Sequence, residues 1–177
     1  MMGLRDAADW KTVQAKELAS YVPPVSTTSD QDSIDWRDVK DVVTPVKDQG
    51  NCGSCWAFSA TETVESAYVI AGNEQVIMSP QELVDCSKSP TTNLGCKGGM
   101  YYWAWDWLKD HKTMRESDYP YVSGDTGKAG ETCNYKEEQG ITNVSSYKEV
   151  GKDTESIKAA IKVGPVSVAV NASNGLF

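Results

Sequence analysis

The sequence predicts an α+β fold, with helices through the middle of the chain and an extended strand near its end. Apolar residues recur at three- and four-residue intervals from Ser54 to Ala71, which is the spacing of one helix face. The valine-rich run of residues 166–170 is typical of a β-strand. With 177 residues, of which 40% are hydrophobic, the chain is long enough to bury the core of one large or two small domains.

Two segments precede the first strong helix. Residues 6–19 are loosely periodic and predict a short helix, and the two prolines in residues 22–29 then interrupt regular structure. We interpret these segments as a small leader and a linker. Residues 31–53 contain Asp, Pro and Gly at short intervals, so we expect extended chain and turns that lead to Cys55.

The main helix is predicted to run from Ser54 to Ala71 and to stop at Gly72. A second helix is expected to follow Ser79, which can cap it, with Pro80 at the first helical position and Glu82 completing a capping box. The next two residues, Leu83 and Val84, should then face the core.

An aromatic stretch follows Gly98 and Gly99, and its residues 100, 103, 104, 107 and 108 fall on one helical face. We interpret this face as core packing. Residues 119–130 predict a loop. A last helix over residues 153–163 should end at a Gly-Pro pair, and the strand of residues 166–170 comes directly after it.

The composition excludes several classes of partner and cofactor. The chain has 17 basic and 25 acidic residues and a net charge of −8, whereas binding to nucleic acid or to an anionic membrane depends on clustered Lys and Arg. No apolar run approaches the ~20 residues of a membrane span, and the first residues carry no signal-peptide core. Because His111 is the one histidine, histidine-rich metal sites are excluded, and we expect no metal or cofactor.

The cysteines form an odd set, so pairing four of them leaves one thiol over, and counting alone does not select the pairs. They are Cys52, Cys55, Cys86, Cys96 and Cys133. Two acceptor triplets for N-glycosylation, at Asn143 and Asn171, fit an oxidising secretory compartment.

The most informative stretch surrounds Cys55, at residues 49–59. If Cys55 lies in the first helical turn, unpaired backbone N–H groups and the helix dipole favour its thiolate, which is the nucleophilic form. Gln49 lies on a glycine-containing loop, and its side-chain amide can donate a hydrogen bond to an oxygen that develops negative charge. Cys55 and Gln49 therefore predict half of a catalytic site.

Two other uses of the cysteines compete with this interpretation. Cys52 and Cys55 could form a redox dithiol, although Pro45 and Gly50 interrupt the strand that usually precedes such a pair. A four-cysteine zinc site is the second alternative, but the Cys-x-x-Cys spacing occurs once in the sequence, and zinc knuckles usually need it twice.

The run Cys52-Gly53-Ser54-Cys55-Trp56 resembles the signature of the papain and cathepsin cysteine proteases. Further matches to this family follow in the family's order along most of the chain. They are Ile-Asp-Trp-Arg at 34–37, Val-Thr-Pro-Val-Lys-Asp-Gln-Gly at 43–50, Ser-Pro-Gln-Glu-Leu-Val-Asp-Cys at 79–86, Gly-Cys-Lys-Gly-Gly at 95–99, Tyr-Pro-Tyr at 119–121 and Gly-Pro-Val-Ser-Val at 164–168.

The resemblance implies roles for individual residues. Cys55 would be the nucleophile, and Gln49 together with the backbone N–H of Cys55 would form the oxyanion hole. Family pairing implies two disulfides, Cys52–Cys96 and Cys86–Cys133. The residues implied in substrate binding are Gly98 and Gly99, which would line the cleft, and Met100, Tyr101 and Ala169, which would line a hydrophobic pocket. The alternative is structural: the two glycines turn the chain and Met100 packs in the core.

The resemblance also implies a papain-like arrangement of a helical left domain and a β-barrel-like right domain, with the cleft between them. Residues 1–31 would then be a propeptide remnant or a leader and linker. Residues 32–140 would form the complete left helical domain with the nucleophile. Residues 141–177 would begin the right β domain and stop, so that this domain is truncated.

The family signature requires a histidine and an asparagine roughly 130–150 residues after the cysteine, and fewer residues than that follow Cys55. We interpret His111 as a surface or helix-end residue. A helix terminus alone lowers a thiol pKa by less than about one unit, so most of the sulfur stays protonated at neutral pH. We therefore expect the chain alone to be inactive or nearly so, with His and Asn in a separate C-terminal chain or in a part cleaved off or omitted.

The function that this resemblance implies is a papain-like cysteine endopeptidase, made as a zymogen, that hydrolyses protein or peptide substrates through a thiolate and an acyl-enzyme. The resemblance implies a location in the lysosome or vacuole, or secretion. The alternative is a non-catalytic papain-like module that binds peptides or a partner without cleaving them.

Overall fold

The computed structural model of the protein describes residues 33–170, and the predicted leader helix and linker lie outside this range. Within the range the chain forms five α-helices: α1 Cys55–Ile70, α2 Pro80–Cys86, α3 Tyr101–Leu108, α4 Ser123–Thr126 and α5 Thr154–Ile161. Single 3-10 turns lie at Trp36–Asp38 and Glu137–Gln139. None of the helices in residues 33–170 is long and apolar enough to cross a membrane.

The longest helix, α1, begins and ends close to the predicted bounds. Gly72 follows it with φ +93°, a left-handed conformation that glycine adopts without steric strain and that turns the chain out of the helix. Trp56, Ala60 and Val64 are buried as their spacing predicts, whereas Ala67 is exposed. The helix prediction is confirmed, and its apolar stripe is shorter than expected.

The core lies where α1 packs against α2 and α3. Leu83 and Val84 of α2 are fully buried, as predicted, and they share the core with Trp56, Ala104 and Leu108. Burying a large apolar side chain contributes ~1.5–3 kcal/mol. This packing fixes the beginning of α1 relative to the two shorter helices.

The beginning of α2 differs in one respect from the sequence prediction. Ser79 caps the helix through its Oγ, which accepts a hydrogen bond from the Glu82 N–H at 3.1 Å, and Pro80 occupies the first turn. The second bond of the predicted capping box, from the Ser79 N–H to the Glu82 carboxylate, is not formed. The Ser79 N–H donates instead to Met114 O at 3.0 Å, and Glu82 Oε2 accepts from the Met114 N–H at 2.6 Å. A neighbouring segment has replaced the local partner.

The buried face of α3 also differs from the prediction. Met100, Ala104 and Leu108 are buried as expected, but Trp103 and Trp107 are half-buried. Trp105, which the predicted face omits, is buried and donates its indole N–H to Ala60 O at 3.2 Å. The physical reason is that α3 packs on two sides, because α1 covers one side of Trp105 and Tyr147 packs against its ring with centroids 5.3 Å apart.

The last helix, α5, begins at the predicted Asp153 cap, whose Oδ1 accepts from the Ser156 N–H at 2.9 Å. The strand predicted for residues 166–170 is wrong: this segment has no regular structure, and Val168 and Val170 are exposed. A strand needs the backbone of a neighbour to pair with, and in residues 33–170 strand pairing is limited to isolated bridges. Side chains hold the segment instead, because Ser167 Oγ donates to Ser59 O of α1 at 3.0 Å.

Candidate active site

Cys55 is the first residue of α1 and carries a free, half-buried thiol. The other four cysteines form the disulfides Cys52–Cys96 and Cys86–Cys133, the same pairs that the family resemblance implies. Since Cys52 is bonded to Cys96, the redox dithiol with Cys55 is not formed in this structure. The disulfide also fixes the approach to Cys55, where the Gly53 N–H donates to Cys96 O at 3.0 Å.

The environment of the Cys55 sulfur has opposing effects on its pKa. Burial raises the pKa of the thiol above its ordinary value, whereas the backbone N–H groups of Trp56 and Cys55 lower it by a smaller amount. The backbone N–H groups at the helix terminus therefore act in the predicted direction, but the expected small lowering of the pKa is wrong, because the half-buried sulfur has lost part of its hydration. A cationic neighbour is needed to favour the thiolate at neutral pH.

Gln49 lies beside Cys55 at the edge of the same cavity, which has a volume of about 580 Å³. Its amide nitrogen donates to Cys52 O at 2.8 Å, so the side chain is held by the backbone just before the nucleophile. The loop that carries Gln49 needs glycine at position 50. A Cβ there would lie 2.8 Å from the Gly124 backbone, and φ is +58°.

The cavity runs between the loop of residues 43–49, the face of α1 that carries Cys55 and Phe58, and residues 165–168. Two apolar side chains at its rim face solvent, since Val46 is fully exposed and Val168 is 68% exposed. The structure thus brings the two predicted catalytic residues to one open, partly apolar groove.

The residues implied in substrate binding do not line this cavity. Gly99 is buried where a Cβ would overlap Asn93 Oδ1 and lie 2.9 Å from the Trp56 ring, so packing alone requires glycine. Met100 is 4% exposed, and its N–H donates to Asn93 Oδ1 at 2.8 Å. These contacts give Gly99 and Met100 structural roles in the described part of the chain.

The other three residues of that set lie in different surroundings. Gly98 is buried with φ +106°, and its carbonyl accepts from the Leu94 N–H at 2.8 Å. Tyr101 is half-buried and packs against Trp105, with ring centroids 5.1 Å apart. Ala169 is exposed. A role of all five residues in binding substrate stays a prediction.

Sequence reasoning missed an ion pair made by Lys47, a residue that lines the cavity. Lys47 Nζ donates to Glu65 Oε2 at 2.8 Å, and Thr44 Oγ1 donates to the same oxygen at 2.6 Å. The second oxygen of Glu65 accepts from the Met78 N–H at 2.8 Å. Both oxygens of this buried residue, which is 1% exposed, therefore have hydrogen-bond partners. The signal in the sequence was an acidic residue directly after Val64, on the buried side of α1.

His111 lies just beyond α3, as predicted for a helix-end residue. Its ring stacks on Trp107 with centroids 4.0 Å apart, and Nδ1 lies 2.9 Å from Trp107 O. Tyr135 covers its edge. His111 does not line the cavity that contains Cys55.

The structure thus has a free thiol at a helix N-terminus, in one cavity with a side-chain amide. The family model described as papain family cysteine protease matches residues 31–177, and the chain belongs to this family. Its fold is papain-like: the chain of digestive procathepsin L 3 from the Tenebrio molitor larval midgut aligns with a TM-score of 0.66 and 36% identity. That alignment covers 79% of this chain and 44% of that one.

Curated relatives agree with this assignment. Cysteine proteinase 5 of Dictyostelium discoideum is 43% identical over 155 residues, which are 86% of this chain and 42% of that protein. Human cathepsin L2 is 42% identical over 148 residues, which are 82% of this chain and 42% of that protein. The chain thus spans less than half the length of these relatives.

Proposed function

We propose that the protein containing these residues is a papain-type cysteine endopeptidase in which Cys55 attacks the peptide carbonyl. The observation that carries the proposal is the position of the unbridged Cys55 thiol at the start of α1, in one cavity with the Gln49 amide. The family assignment supports cysteine-peptidase chemistry in general.

The proposed reaction begins when the Cys55 thiol gives its proton to an imidazole and the sulfur bonds to the carbonyl carbon. The carbonyl π electrons move to the oxygen, and the Cys55 N–H and the Gln49 amide stabilise the resulting oxyanion. An amide nitrogen has two hydrogens, so the bond from Gln49 to Cys52 O leaves the second available to the oxyanion. Collapse breaks the C–N bond, the imidazolium protonates the departing amine, and water hydrolyses the thioester.

The imidazole in this reaction is not His111, because that ring is stacked on Trp107 and lies outside the cavity of Cys55. We propose that a histidine and its asparagine partner come from residues other than these 177, in the same protein or in a separate chain. Since burial raises the pKa of Cys55, the 177 residues alone would cleave peptides very slowly.

The proposed domain organisation keeps residues 32–140 as a helical domain and assigns residues 141–177 to the start of a β-barrel-like domain. The exposed valines Val46 and Val168 at the rim of the cavity support a covering by residues outside the range 33–170. In the complete cleft, Gly98, Gly99, Met100, Tyr101 and Ala169 would contact a protein or peptide substrate.

We place the protein in the lysosome or vacuole, or outside the cell, as a zymogen. Two disulfides support an oxidising compartment during folding. Asn143 of the first glycosylation triplet is exposed and accessible to a glycan-transferring enzyme. The test is the mass of the secreted protein before and after N-glycan removal: the mass should decrease, and in Asn143→Gln the decrease should be smaller by one glycan.

The test of the proposed function uses the activated full-length protein and a fluorogenic peptide. Cys55→Ala should lower kcat/KM by at least ~10³-fold, since the residual rate then comes only from the oxyanion hole and substrate binding. A thiol-directed epoxide should add one equivalent to the peptide that contains Cys55, and Cys55→Ser should abolish the adduct. Peptidase activity that survives Cys55→Ala would rule out the proposal.

The second candidate, a non-catalytic peptide-binding module, is favoured by the raised pKa of Cys55. It predicts slow epoxide labelling in the full-length protein as well, together with peptide binding that calorimetry detects in wild type and Cys55→Ala alike. Fast labelling of the full-length protein would exclude this candidate.

A further inference from the structure

The Tyr119-Pro120-Tyr121 segment carries two phenol hydroxyls that contact different parts of the molecule. The Tyr119 hydroxyl donates to Asp85 Oδ2 of α2 at 3.0 Å and accepts from the Asn134 N–H at 3.1 Å. The Tyr121 hydroxyl instead lies between the loop that carries Gln49 and the residue that precedes Cys55. The two tyrosines therefore offer a matched pair for separating stability from catalysis.

The hydrogen bonds of Tyr121 have a defined direction. Its hydroxyl lies 2.8 Å from Gln49 O and 2.6 Å from Ser54 Oγ. A carbonyl oxygen can only accept, and a phenol has one hydrogen, so Tyr121 donates to Gln49 O. Because the single phenol hydrogen goes to Gln49 O, the Ser54 hydroxyl donates to the Tyr121 oxygen. The other acceptor near Ser54 Oγ, Cys52 O, is farther away at 3.5 Å. The chain of donors runs from Ser54 through Tyr121 to Gln49.

Three further contacts hold Tyr121 and the loop that carries it. Its edge-to-face contact with Phe58 of α1 has a centroid distance of 4.8 Å, and Phe58 lines the cavity together with Cys55. The Tyr121 N–H donates to Glu116 Oε1 at 2.8 Å. The Gly124 carbonyl accepts from the Asn51 N–H at 2.8 Å, which holds the Tyr121 loop against the Gln49 loop.

The catalytic elements need such a connection. Gln49 lies on a loop and Cys55 on a helix, and the five residues between them include Gly50 and Gly53. An oxyanion donor is effective only when it lies about 2.7–3.1 Å from the developing charge. Burial raises the pKa of Tyr121, so its hydroxyl stays protonated and continues to donate through acid and neutral pH.

We propose that Tyr121 is a positioning residue of the oxyanion hole: its hydroxyl joins the main chain of Gln49 to Ser54 and so sets the Gln49 amide relative to the Cys55 sulfur. The inference rests on the proposed peptidase function. Tyr121 acts through Gln49 and does not itself contact the substrate.

The test is Tyr121→Phe in the activated full-length protein, which removes the hydroxyl and keeps the ring on Phe58. We expect kcat to fall about 10-fold, a part of the 10²–10³-fold effect of losing a whole oxyanion donor. KM and the alkylation rate of Cys55 should stay within about twofold, because neither binding nor the nucleophile changes. In a Gln49→Ala background, Tyr121→Phe should have no further effect on kcat.

Tyr119→Phe is the matched control, because it removes a buried hydroxyl of the same segment whose partners lie away from Gln49. It should lower Tm and leave kcat unchanged. If Tyr121→Phe does not fold, Ser54→Ala replaces it, because this change removes the donor to Tyr121 and no side-chain capping bond of α1. A several-fold fall in kcat that disappears in the Gln49→Ala background is then expected.

An unchanged kcat in Tyr121→Phe would overturn the inference, and so would an unchanged kcat in Ser54→Ala where that variant is used. The inference also fails if Tyr121→Phe lowers kcat as much in the Gln49→Ala background as in the wild type. Cys55→Ala separates the two levels of failure. If Cys55→Ala abolishes activity and Tyr121→Phe does not change it, the positioning role fails and the proposed function stands. If Cys55→Ala keeps its activity, the proposed function itself fails.

Discussion

Glu82 places a carboxyl group inside the core of the helical region. The residue is 0% exposed; Oε2 accepts from the Met114 N–H at 2.6 Å, and Oε1 is buried without a hydrogen-bond partner. Burial raises the pKa of Glu82 to about 8, and the single bond from Met114 lowers it by less. The native state therefore keeps a proton on Glu82 that the unfolded chain has already released at neutral pH.

The pH dependence of stability follows from this difference. The contribution of Glu82 is fully present below its unfolded pKa and is lost as pH rises through about 8, because the unfolded state binds fewer protons in that window. Between about pH 5 and pH 8 we expect a loss of roughly 2–4 kcal/mol in the free energy of unfolding. Urea denaturation of wild type and Glu82→Gln at several pH values measures it. Parallel curves for the two proteins would contradict the prediction.

At the candidate site, the sequence predicts that Cys55 and Gln49 act together, and the structure adds their surroundings. Cys55 and Gln49 could be predicted because they lie in a short, contiguous motif. The rise in the pKa of Cys55 could not be predicted, because the burial of its sulfur depends on how Phe58 and residues 165–168 pack around the cavity. The hydroxyl of Tyr121 lies more than sixty residues along the chain from its partners, and no local pattern indicates such a contact.

Among the elements, α1 is tied to the loop of residues 43–49 by the buried pair of Lys47 and Glu65. The side chain of Lys47 is 13% exposed and that of Glu65 is 0% exposed. Thr44 and the Met78 N–H complete the bonding of Glu65. A buried pair of this kind adds little net stability, but removal of one partner leaves an uncompensated charge.

Glu65→Ala should therefore destabilise the protein by about 3–5 kcal/mol, because Lys47 would stay partly buried without its main partner. Guanidinium unfolding at constant pH measures the change. Glu155→Ala is the control, since Glu155 pairs with Lys158 on the surface of α5, where both side chains are largely exposed. Equal losses in the two variants would show that burial does not decide the effect.

The helix ends could be predicted where the signal is local. Ser79 and Asp153 cap α2 and α5 with bonds to residues three positions ahead. The buried face of α3 and the conformation of residues 166–170 could not be predicted, because both depend on distant partners. Tyr147 buries Trp105. The Thr63 hydroxyl and the Ser59 carbonyl of α1 hold Ser167, and no neighbouring strand lies within residues 33–170.

For the whole molecule, we expect the two disulfides to stabilise by similar amounts, although they lie in different places. Cys52–Cys96 spans a sequence separation of 44 and Cys86–Cys133 one of 47. Loop-closure entropy of the unfolded chain depends on this length, so each bridge should contribute about 4 kcal/mol. The first bridge lies next to the site, where Cys52 O binds the Gln49 amide, and the second joins α2 to the segment around residue 133.

Replacing each bridge by a pair of serines should thus lower the free energy of unfolding by similar amounts, within about 1 kcal/mol of each other. The effects of the two replacements on kcat should differ. Loss of Cys52–Cys96 loosens the segment that orients Gln49, so kcat of the full-length protein should fall several-fold, while loss of Cys86–Cys133 should leave it near wild type. Denaturation and peptide hydrolysis on both variants, below their unfolding temperatures, give the two readouts. An equal fall in kcat would mean that the bridges act on catalysis through global stability, because the local contacts of Cys52 would then add nothing.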